Sequence, residues 1–333
     1  MIRALCLISG GLDSILAAKL IQAQGIEAIG VNFSSPLFRY ERPKLKDFDA
    51  AAAAQQLGVP LTSVDITEDI IKILKAPKHG FGSNVNPCID CHMMMLRKAK
   101  GMMEESGASF LVTGEVVGQR PMSQGRDTLA MIDKEAGTKG LVLRPLSAKA
   151  LEPTIPEEKG WIERSRLYDI IGRSRKGQIA LAKEFGISEY PNAAGGCLLT
   201  DPSFSKRVKD LLEHGELNEA NISLLKAGRT FRISEHSRLI VGRDQRDDEL
   251  LKSLCGKEDI FFEPQESVAG ASGLGRGDYR DPQTIDLAAR IVARYFDAKD
   301  SCRVTEVEVS YKGLKQALKV KPFSDEEAKK YLI

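Results

Sequence analysis

The stretch ISGGLDSILAAKLI, residues 8–21, joins the end of one apolar run to the start of another. The first run, ALCLI at 4–8, predicts a buried strand, and apolar residues recur at helical spacing from Leu12 to Ile21, which predicts a helix. Between them, Gly10 and Gly11 allow the backbone to approach a ligand closely. A strand, a glycine turn and a helix N-terminus together present free N–H groups, so the stretch predicts an anion-binding site.

Strand-like and helix-like stretches alternate through the first 147 residues. We expect strands at 4–8, 27–33, 61–66, 110–115 and 140–146, with further helices over about 45–57 and from near Cys91. This alternation is typical of α/β proteins, and it predicts a doubly wound, parallel five-stranded sheet with helices on both faces. Such sheets bind ligands at the carboxyl ends of their strands, where the glycine turn lies.

The pattern changes twice after this first part. Residues 148–225 are mostly helical and basic, with seven Lys or Arg against two acids between 159 and 183. Residues 226–333 carry the strand-like FRISEHSRLIVGR and CRVTEVEVSY, with GASGLGRGD (270–278) expected as a glycine-rich loop. The sequence therefore predicts three parts: a nucleotide-binding domain at 1–147, a basic helical segment at 148–225 and a small α+β domain at 226–333.

The composition is typical of a soluble globular chain. It has 333 residues, 42% hydrophobic and 28% charged, with a formal net charge of +2. No apolar run reaches the roughly 18–20 residues of a membrane span, and the apolar start breaks at Gly10, too early for a signal peptide. We therefore expect a cytoplasmic protein without a membrane partner. The six cysteines are unevenly spread, which argues against a disulfide framework.

Three of the cysteines are candidates for metal or sulfur chemistry. NPCIDCH at 86–92 places Cys88 and Cys91 as a C-x-x-C at a loop-to-helix junction, and Cys197 lies in the glycine-bordered AAGGCLLTD. Three cysteines without a fourth fit an iron–sulfur cluster with one iron left open. They also fit a persulfide nucleophile with a resolving cysteine. A structural zinc ion and unused thiols remain open as further alternatives.

The loop SGGLDS at 9–14 is neither a Walker A motif nor a G-x-G-x-x-G motif. It resembles the SGG-x-DS loop of the PP-loop ATP pyrophosphatases, which bind ATP, cleave it between the α- and β-phosphates and activate an oxygen of the substrate with AMP. By position, the resemblance implies an ATP site with three groups of residues. These are Ser9, Gly10, Gly11, Asp13 and Ser14 for pyrophosphate and Mg²⁺, Asn32 and Phe33 for adenine, and Gly114 and Glu115 near the nucleotide.

Region 1–200 is similar to the tRNA thiouridylase branch of that superfamily. The supporting stretches are NPCIDCH, LVTGEVVGQRPMSQ, LVLRPLSAK and IIGRSRKGQIALAKEFGI. The resemblance implies that ATP adenylates a uridine carbonyl oxygen of tRNA, which sulfur then replaces, with Cys91, Cys197 and Asp13 as catalytic residues. Members with a cysteine at the position of Cys88 hold a [4Fe-4S] cluster, here on Cys88, Cys91 and Cys197. The sulfur donor would be sulfide or a carrier protein.

The resemblance also implies RNA contacts. FRISEHSRLIVGRDQRDDELL, from residue 231, is similar to the NFACT-R domain, which is linked with RNA. Cationic residues beside the catalytic sheet would contact RNA phosphates, although a basic helix start exposed only to solvent is the alternative. These residues are Arg120, Arg126, Arg173, Arg175 and Lys176.

Other classes of function remain open at this point. A PP-loop amide or amidine ligase on a small molecule would use SGGLDS, but it would leave the cysteines and the basic run without a role. An RNA-binding protein or metal sensor without catalysis would have no use for an intact pyrophosphate loop. A cluster-dependent desulfurase of thiolated uracil would need no ATP. The hypothesis of an ATP-dependent tRNA sulfurtransferase gives a role to SGGLDS, to the cysteines and to the basic run.

Overall fold

The computed structural model describes residues 2–38, 49–190, 197–266, 268–297 and 304–333. The chain divides into two compact units, Met1–Leu198 and Leu199–Ile333. This boundary falls inside the predicted basic segment 148–225, so the helices after Leu199 belong to the C-terminal unit. Within the described ranges, no helix is both long and apolar enough to cross a membrane.

The elements of the first unit alternate as the sequence predicts. Its strands are β1 (Arg3–Leu7), β2 (Glu27–Ser34), β3 (Leu61–Asp65), β4 (Phe110–Val112) and β5 (Val142–Leu143). Its helices are α1 (Leu12–Gln22), α2 (Ala50–Leu57), α3 (Thr67–Lys75), α4 (Cys88–Gly101), α5 (Met103–Ser106), α6 (Arg126–Glu135), α7 (Ile155–Glu158) and α8 (Lys176–Glu184). Helix α4 begins at Cys88, directly after Pro87, rather than near Cys91, so both cysteines lie in or beside its first turn.

Among the described residues, these five strands form one sheet in the order β3-β2-β1-β4-β5. Every neighbouring pair is parallel, which confirms the predicted doubly wound sheet. Strand β1 lies between β2 and β4, and the strand order reverses on either side of it. The loop after β1, which holds SGGLDS, therefore leaves the sheet at the place where α/β folds bind their ligands.

Helices cover both faces of this sheet. On one face, α1 and α2 bury residues such as Ile15, Leu16 and Ala53 against the sheet, and α8 adds Leu181 to the same core. On the other face, α4 and α6 bury a second core that includes Leu96. The two cores hold β1, β2 and β4 in place, so the residues that follow these strands are rigidly positioned.

The second unit contains a different sheet. Its strands are β6 (Arg229–Ser234), β7 (Ser237–Val241), β8 (Ile260–Pro264), β9 (Gly273–Gly277), β10 (Thr305–Tyr311) and β11 (Leu314–Val320). Its helices are α9 (Pro202–Glu213), α10 (Glu219–Leu224), α11 (Gln245–Leu254), α12 (Pro282–Ala293) and α13 (Asp325–Lys329). In the part that the structure describes, the six strands pair in the order β11-β10-β8-β9-β7-β6, antiparallel throughout, as expected for a small α+β domain.

The glycine-rich stretch 270–278 is not the loop that we expected. Its residues Gly273–Gly277 form β9, which lies between β8 and β7. A Cβ on Gly273 would lie 2.5 Å from Val292 of α12, and one on Gly275 would lie 2.6 Å from the ring of Tyr279. The glycines are therefore required because the helix and the tyrosine ring occupy the space that side chains would fill.

Candidate functional site

The SGGLDS loop is closed tightly around the N-terminus of α1. Gly10 has a φ of +79°, and a Cβ there would lie 2.7 Å from the backbone of Asp49, the N-cap of α2. The hydroxyl of Ser14 accepts from the amide of Ser9 at 3.3 Å and donates to the Gly11 carbonyl at 2.8 Å. Among the residues that the structure describes, no side chain caps α1, so the N–H groups of Leu12 and Asp13 stay available to an anion.

Asp13 stands in the first turn of α1 with one carboxylate oxygen partnered and one not. The amide nitrogen of Gln119 donates to its Oδ2 at 2.8 Å. Its Oδ1 is buried and, among the residues that the structure describes, has no hydrogen-bond partner. A buried unpaired carboxylate oxygen beside an anion-binding helix N-terminus fits a Mg²⁺ ligand, since this ion prefers oxygen.

The end of β4 lies directly against this loop. A Cβ on Gly114 would lie 2.4 Å from the amide nitrogen of Ser14 and 2.5 Å from the carbonyl carbon of Asp13. Asn32 and Phe33 stand near the end of β2, on the strand beside β1, and both are half-buried. The predicted ATP residues Ser9–Ser14 and Gly114 are therefore brought together, and β2 ends at the same edge of the sheet. Their roles stay predictions.

The two cysteines of the C-x-x-C have different surroundings. Asn86 donates a hydrogen bond from Nδ2 to the Cys88 sulfur at 3.1 Å. Burial raises the pKa of Cys88, but the hydrogen bond and charge of His92, with Asn86 and the Arg120 charge, outweigh burial and lower this pKa below its usual value. The first turn of α4 also favours a thiolate.

Cys91 is buried without comparable donors. Burial comes first among the causes that raise the pKa of Cys91 well above its usual value, followed by the nearby Cys197 and Cys88 and then Asp90. Cys197 is half-buried, with its sulfur 3.9 Å from the carbonyl of Leu37 after β2. The charges of Cys88 and Cys197 thus act on Cys91. Within the described residues, no three His, Cys, Asp or Glu side chains are placed to hold a single metal ion.

Glu115 belongs to a buried network that the sequence analysis missed. Its Oε1 lies 2.6 Å from Nδ1 of His92, and its Oε2 accepts from Nε of Arg144 at 2.9 Å. The guanidinium of Arg144 donates two further bonds to Asp133 of α6, at 2.7 and 2.8 Å. Burial raises the pKa of Glu115, but the Arg144 charge and His92 reverse that effect and hold this pKa well below its usual value. Arg144 is 3% exposed, so the network is interior.

One signal in the sequence could have revealed this network. Arg144 interrupts the apolar stretch GLVLRPL, and an arginine inside a buried strand needs acidic partners. Nothing in the sequence indicates which acids these are, because Glu115 lies just after β4 whereas Asp133 lies in the helix α6. Glu115 therefore lies beside the nucleotide loop as expected, while its carboxylate faces His92 and Arg144 rather than the loop.

The segment 114–120 links the nucleotide loop to the thiols. Gly114 lies against Asp13, whereas the next residue, Glu115, binds His92, which lowers the pKa of Cys88. Gln119 holds Asp13, and the charge of the next residue, Arg120, acts on Cys88. In each pair of adjacent residues, Gly114–Glu115 and Gln119–Arg120, the first residue lies against Asp13 and the second acts on the cysteine site.

The predicted RNA-contacting residues lie around the same edge. The bridge between Val117 and Ile171 brings the segment before α8 to the loop after β4. Arg120, Arg126, Arg173 and Lys176 are exposed, and Arg175 is half-buried. None of these five forms an ion pair with an acidic residue that the structure describes, which leaves their charges available to an anionic partner.

These features define a nucleotide-binding α/β unit of the PP-loop type followed by an antiparallel domain. Residues 2–155 match the family model described as Thiamine biosynthesis protein (ThiI), and residues 228–332 match the one described as NFACT protein RNA binding domain. The chain therefore carries a ThiI-type domain followed by an NFACT-R-type domain, which confirms both predicted resemblances.

Curated relatives share parts of this arrangement. The tRNA-specific 2-thiouridylase MnmA of Xanthobacter autotrophicus is 27% identical over 226 residues, which are 63% of this chain and 54% of that protein. A probable tRNA sulfurtransferase of a Thermoanaerobacter species is 32% identical over 119 residues, 35% of this chain and 30% of that protein. The chain thus spans about half, or less, of the length of these relatives.

Two solved structures are similar to parts of this chain at low sequence identity. A 4-thiouridine synthetase in complex with RNA and ATP is 21% identical, with a TM-score of 0.39 over 67% of this chain and 52% of the other. The U34-tRNA thiolase NcsA of Methanococcus maripaludis, solved with its [4Fe-4S] cluster, is 16% identical, with a TM-score of 0.33 over 68% of this chain and 70% of the other.

Proposed function

We propose that the protein is an ATP-dependent tRNA sulfurtransferase, which adenylates a uridine carbonyl oxygen and replaces it with sulfur. The observation that carries this proposal is the end of β4, where Gly114 lies against Asp13 and Glu115 holds His92, which lowers the pKa of Cys88. A reaction that first activates an oxygen with ATP and then delivers sulfur needs its two sites side by side. The curated relatives named for tRNA thiolation support the same substrate class.

The nucleotide half of the site would perform the activation. Asp13 offers its unpaired Oδ1 to Mg²⁺, while the free amides of α1 and the Ser9 and Ser14 hydroxyls bind the departing pyrophosphate. A carbonyl oxygen of uracil is a poor leaving group, and transfer of AMP from ATP to this oxygen, with release of pyrophosphate, lets it depart later as AMP. Hydrogen-bond donors that are already fixed around the departing pyrophosphate stabilise the transition state, because they need no reorganisation during the reaction.

The thiol half of the site would deliver the sulfur. Cys91 is close enough to Cys88 and to Cys197 for their charges to act on it, so the three thiols would converge on one bound group. This donor set fits a [4Fe-4S] cluster better than a single ion, since a cluster binds each thiolate to a different iron. When bound, the open iron would carry the sulfur that replaces the activated oxygen. Asn86 stabilises the Cys88 sulfur by a hydrogen bond, and the charge of His92 lowers the pKa of this thiol.

The tRNA would be bound by cations at the same edge of the sheet and by the C-terminal domain. The five predicted cations around 114–126 and 172–176 are free of acidic partners among the described residues, and they would contact RNA phosphates. The uridine must leave its stack to reach the nucleotide, which is the common mode for enzymes that modify a base. The NFACT-R-type domain supplies a second RNA contact, and sulfide or a carrier protein supplies the sulfur.

An anaerobic purification tests the thiol half. Wild type should show broad absorbance near ~400 nm and about four irons and four sulfides per chain, and Cys197→Ala should lose them. Cys255→Ala is the matched control, because Cys255 is a half-buried cysteine of the other unit. A colourless wild-type protein without iron would contradict the cluster and favour a persulfide on these cysteines. It would leave the ATP site untouched.

The reaction itself separates the proposal from a small-molecule ligase. Wild type, ATP, Mg²⁺, sulfide and unmodified tRNA should yield a thiolated nucleoside together with AMP and pyrophosphate. Cys91→Ser should abolish the thiolated product. If Cys91→Ser retains a full ATP-dependent reaction, the cysteines have no part in it and the chain is a ligase of another kind.

A further inference from the structure

Gln119 connects the turn after β4 to the first turn of α1. Its Nε2 donates a hydrogen bond to Oδ2 of Asp13 at 2.8 Å, although the two residues are 106 positions apart in the sequence. A hydrogen bond to a charged carboxylate is stronger than one between two neutral groups. The amide of Gln119 therefore restricts the orientation of the Asp13 side chain.

The turn that carries Gln119 is held by its own backbone. The amide nitrogen of Gln119 donates to the carbonyl of Val116 at 3.1 Å, and that of Gly118 donates to the carbonyl of Gln124 at 2.7 Å. Gly118 has a φ of +73°, a left-handed conformation that favours glycine. The side chain of Gln119 thus extends from a fixed backbone, so it can hold the Asp13 carboxylate in one place.

Two oxygens of this pair have no partner. Oδ1 of Asp13 and Oε1 of Gln119 are both buried, and neither forms a hydrogen bond with a residue that the structure describes. A buried oxygen without a partner costs free energy, which a ligand at this place would recover. Because the carboxylate is charged, a cation is the ligand that fits. Mg²⁺ binds oxygen and keeps several water molecules, which can donate to a further oxygen nearby.

We propose that Gln119 is a positioning residue for the cation that accompanies ATP: its amide holds Oδ2 of Asp13, so that Oδ1 stays free for the ion. The inference rests on the proposed function only in taking ATP and Mg²⁺ as the ligands of this loop. Hydrogen-bond partners of metal-binding carboxylates control metal affinity in many proteins. Gln119 therefore controls how much Mg²⁺ strengthens ATP binding, whereas the backbone amides at the start of α1 bind phosphate without it.

Two substitutions of Gln119 test this role. Gln119→Leu removes the donor at a similar side-chain size, and Gln119→Asn keeps an amide that is one methylene too short for the bond. Gln22→Leu is the matched control. Gln22 is also half-buried, its Nε2 donates to the carbonyl of Leu57 at 3.0 Å, and its Oε1 has no partner among the described residues. It lies in the last turn of α1, at the opposite end from Asp13.

The measurement is the affinity for ATP by calorimetric titration, once with Mg²⁺ and once with EDTA, without tRNA. Circular dichroism first shows that all four proteins are folded. We expect Gln119→Leu to lose about tenfold of the affinity that Mg²⁺ adds in wild type, the lower end of the usual cost of removing such a partner. Gln119→Asn should lose a similar factor, and Gln22→Leu should lose none. With EDTA, the four proteins should bind ATP equally well.

The comparison of the two conditions separates positioning from general damage. A loosened loop would weaken ATP binding as much with EDTA as with Mg²⁺, and this result would overturn the proposal. Full Mg²⁺ dependence in folded Gln119→Leu, or a wild type whose ATP affinity does not depend on Mg²⁺, would overturn it as well. If Gln119→Leu does not fold, Gln119→Asn decides by the same criteria.

The inference and the proposed function can fail separately. A wild type that shows the expected Mg²⁺ dependence, lost in Gln119→Leu, but thiolates no tRNA would refute the proposed function and leave the role of Gln119 standing. A wild type that thiolates tRNA, with a Gln119→Leu variant that keeps the full Mg²⁺ dependence, would refute only the role of Gln119.

Discussion

Gly114→Ala is the smallest change that should separate the end of β4 from the nucleotide loop. The new Cβ would lie 2.4 Å from the Ser14 amide nitrogen and 2.6 Å from the Asp13 carbonyl oxygen, whereas ordinary contacts begin at 3.4 Å. The clashing atoms are backbone atoms of α1, which cannot rotate away as a side chain can. The strand end and the loop must therefore move apart by about 1 Å, a distance that follows from the contact shortfall.

This shift should lower both the unfolding free energy and the rate of turnover. Overpacking costs typically about 1–3 kcal/mol, and we expect the upper half of that range because no side chain can give way. A displacement of about 1 Å at a positioned group costs on the order of 100-fold in rate, so ATP-dependent turnover should fall by that factor. Gly101→Ala is the control: nothing lies within 4 Å of its Cβ, and alanine favours the helix, so it should stabilise slightly.

The assay uses the single tryptophan of the chain, Trp161, which packs against the core of the first unit and so reports its unfolding. Urea titrations of wild type and both variants give the stability, and calorimetric titration with ATP and Mg²⁺ gives the affinity. If Gly114→Ala unfolds at the same urea concentration as wild type and binds ATP equally well, Gly114 does not lie against the loop. The contact described between the end of β4 and the nucleotide loop would then be wrong.

Three further outcomes follow from buried polar groups. Arg144→Met leaves the carboxylates of Glu115 and Asp133 buried without their cation, so it should lower the unfolding free energy by about 3–5 kcal/mol in the same tryptophan assay; a loss below 1 kcal/mol would contradict the network. Burial lowers the pKa of His92, but its bonds to Cys88 and Glu115 outweigh burial and raise this pKa to about 9. The resulting stability, on the order of 2–3 kcal/mol, is complete below the ordinary histidine pKa near 6.5 and disappears as the pH rises through about 9. His92→Gln should therefore flatten the stability profile between pH 6.5 and 10, and an unchanged profile would be evidence against the raised pKa. Tyr279→Phe removes the hydroxyl that donates to a buried β7 carbonyl at 2.9 Å, so urea unfolding of the second unit, followed by circular dichroism, should show a loss of about 1–3 kcal/mol; no loss would contradict that bond.

The parallel sheet could be predicted because its signals are local. Apolar runs separated by helical periodicity mark each strand, and SGGLDS marks the turn after the first one. The carboxyl ends of parallel strands meet at one edge, so the glycine turn and the end of β4 had to approach one another. The family resemblance implies the same place for Gly114, near the nucleotide.

The glycine strand β9 could not be predicted from the same signals. Strand periodicity relies on alternating side chains, and Gly273 and Gly275 have none. Their spacing becomes meaningful only once Val292 and Tyr279 are known to fill the space beside them. Glycine suits a loop because its backbone is flexible, and it suits the covered central strand β9 because it has no side chain. The presence of glycine alone therefore does not distinguish the two.

The buried network escaped prediction for a related reason. His92, Glu115, Arg144 and Asp133 are far apart in sequence, and each alone is an ordinary polar residue. Only the fold brings the start of helix α4, the end of strand β4 and helix α6 close together. The motif therefore revealed the cysteines, whereas the residues that make Cys88 differ from Cys91 had to come from the structure.

The central claim is that one site joins ATP-dependent activation to sulfur transfer on tRNA. Its most direct test is a single incubation of anaerobically purified protein with unmodified tRNA, ATP, Mg²⁺ and isotopically labelled sulfide, followed by nucleoside mass spectrometry. We expect wild type to form a labelled thiouridine and to release one AMP for each thiouridine formed. Asp13→Asn and Cys197→Ala should form no labelled thiouridine. Labelled thiouridine formed equally well by Asp13→Asn, or none formed by an iron-loaded wild type, would contradict it.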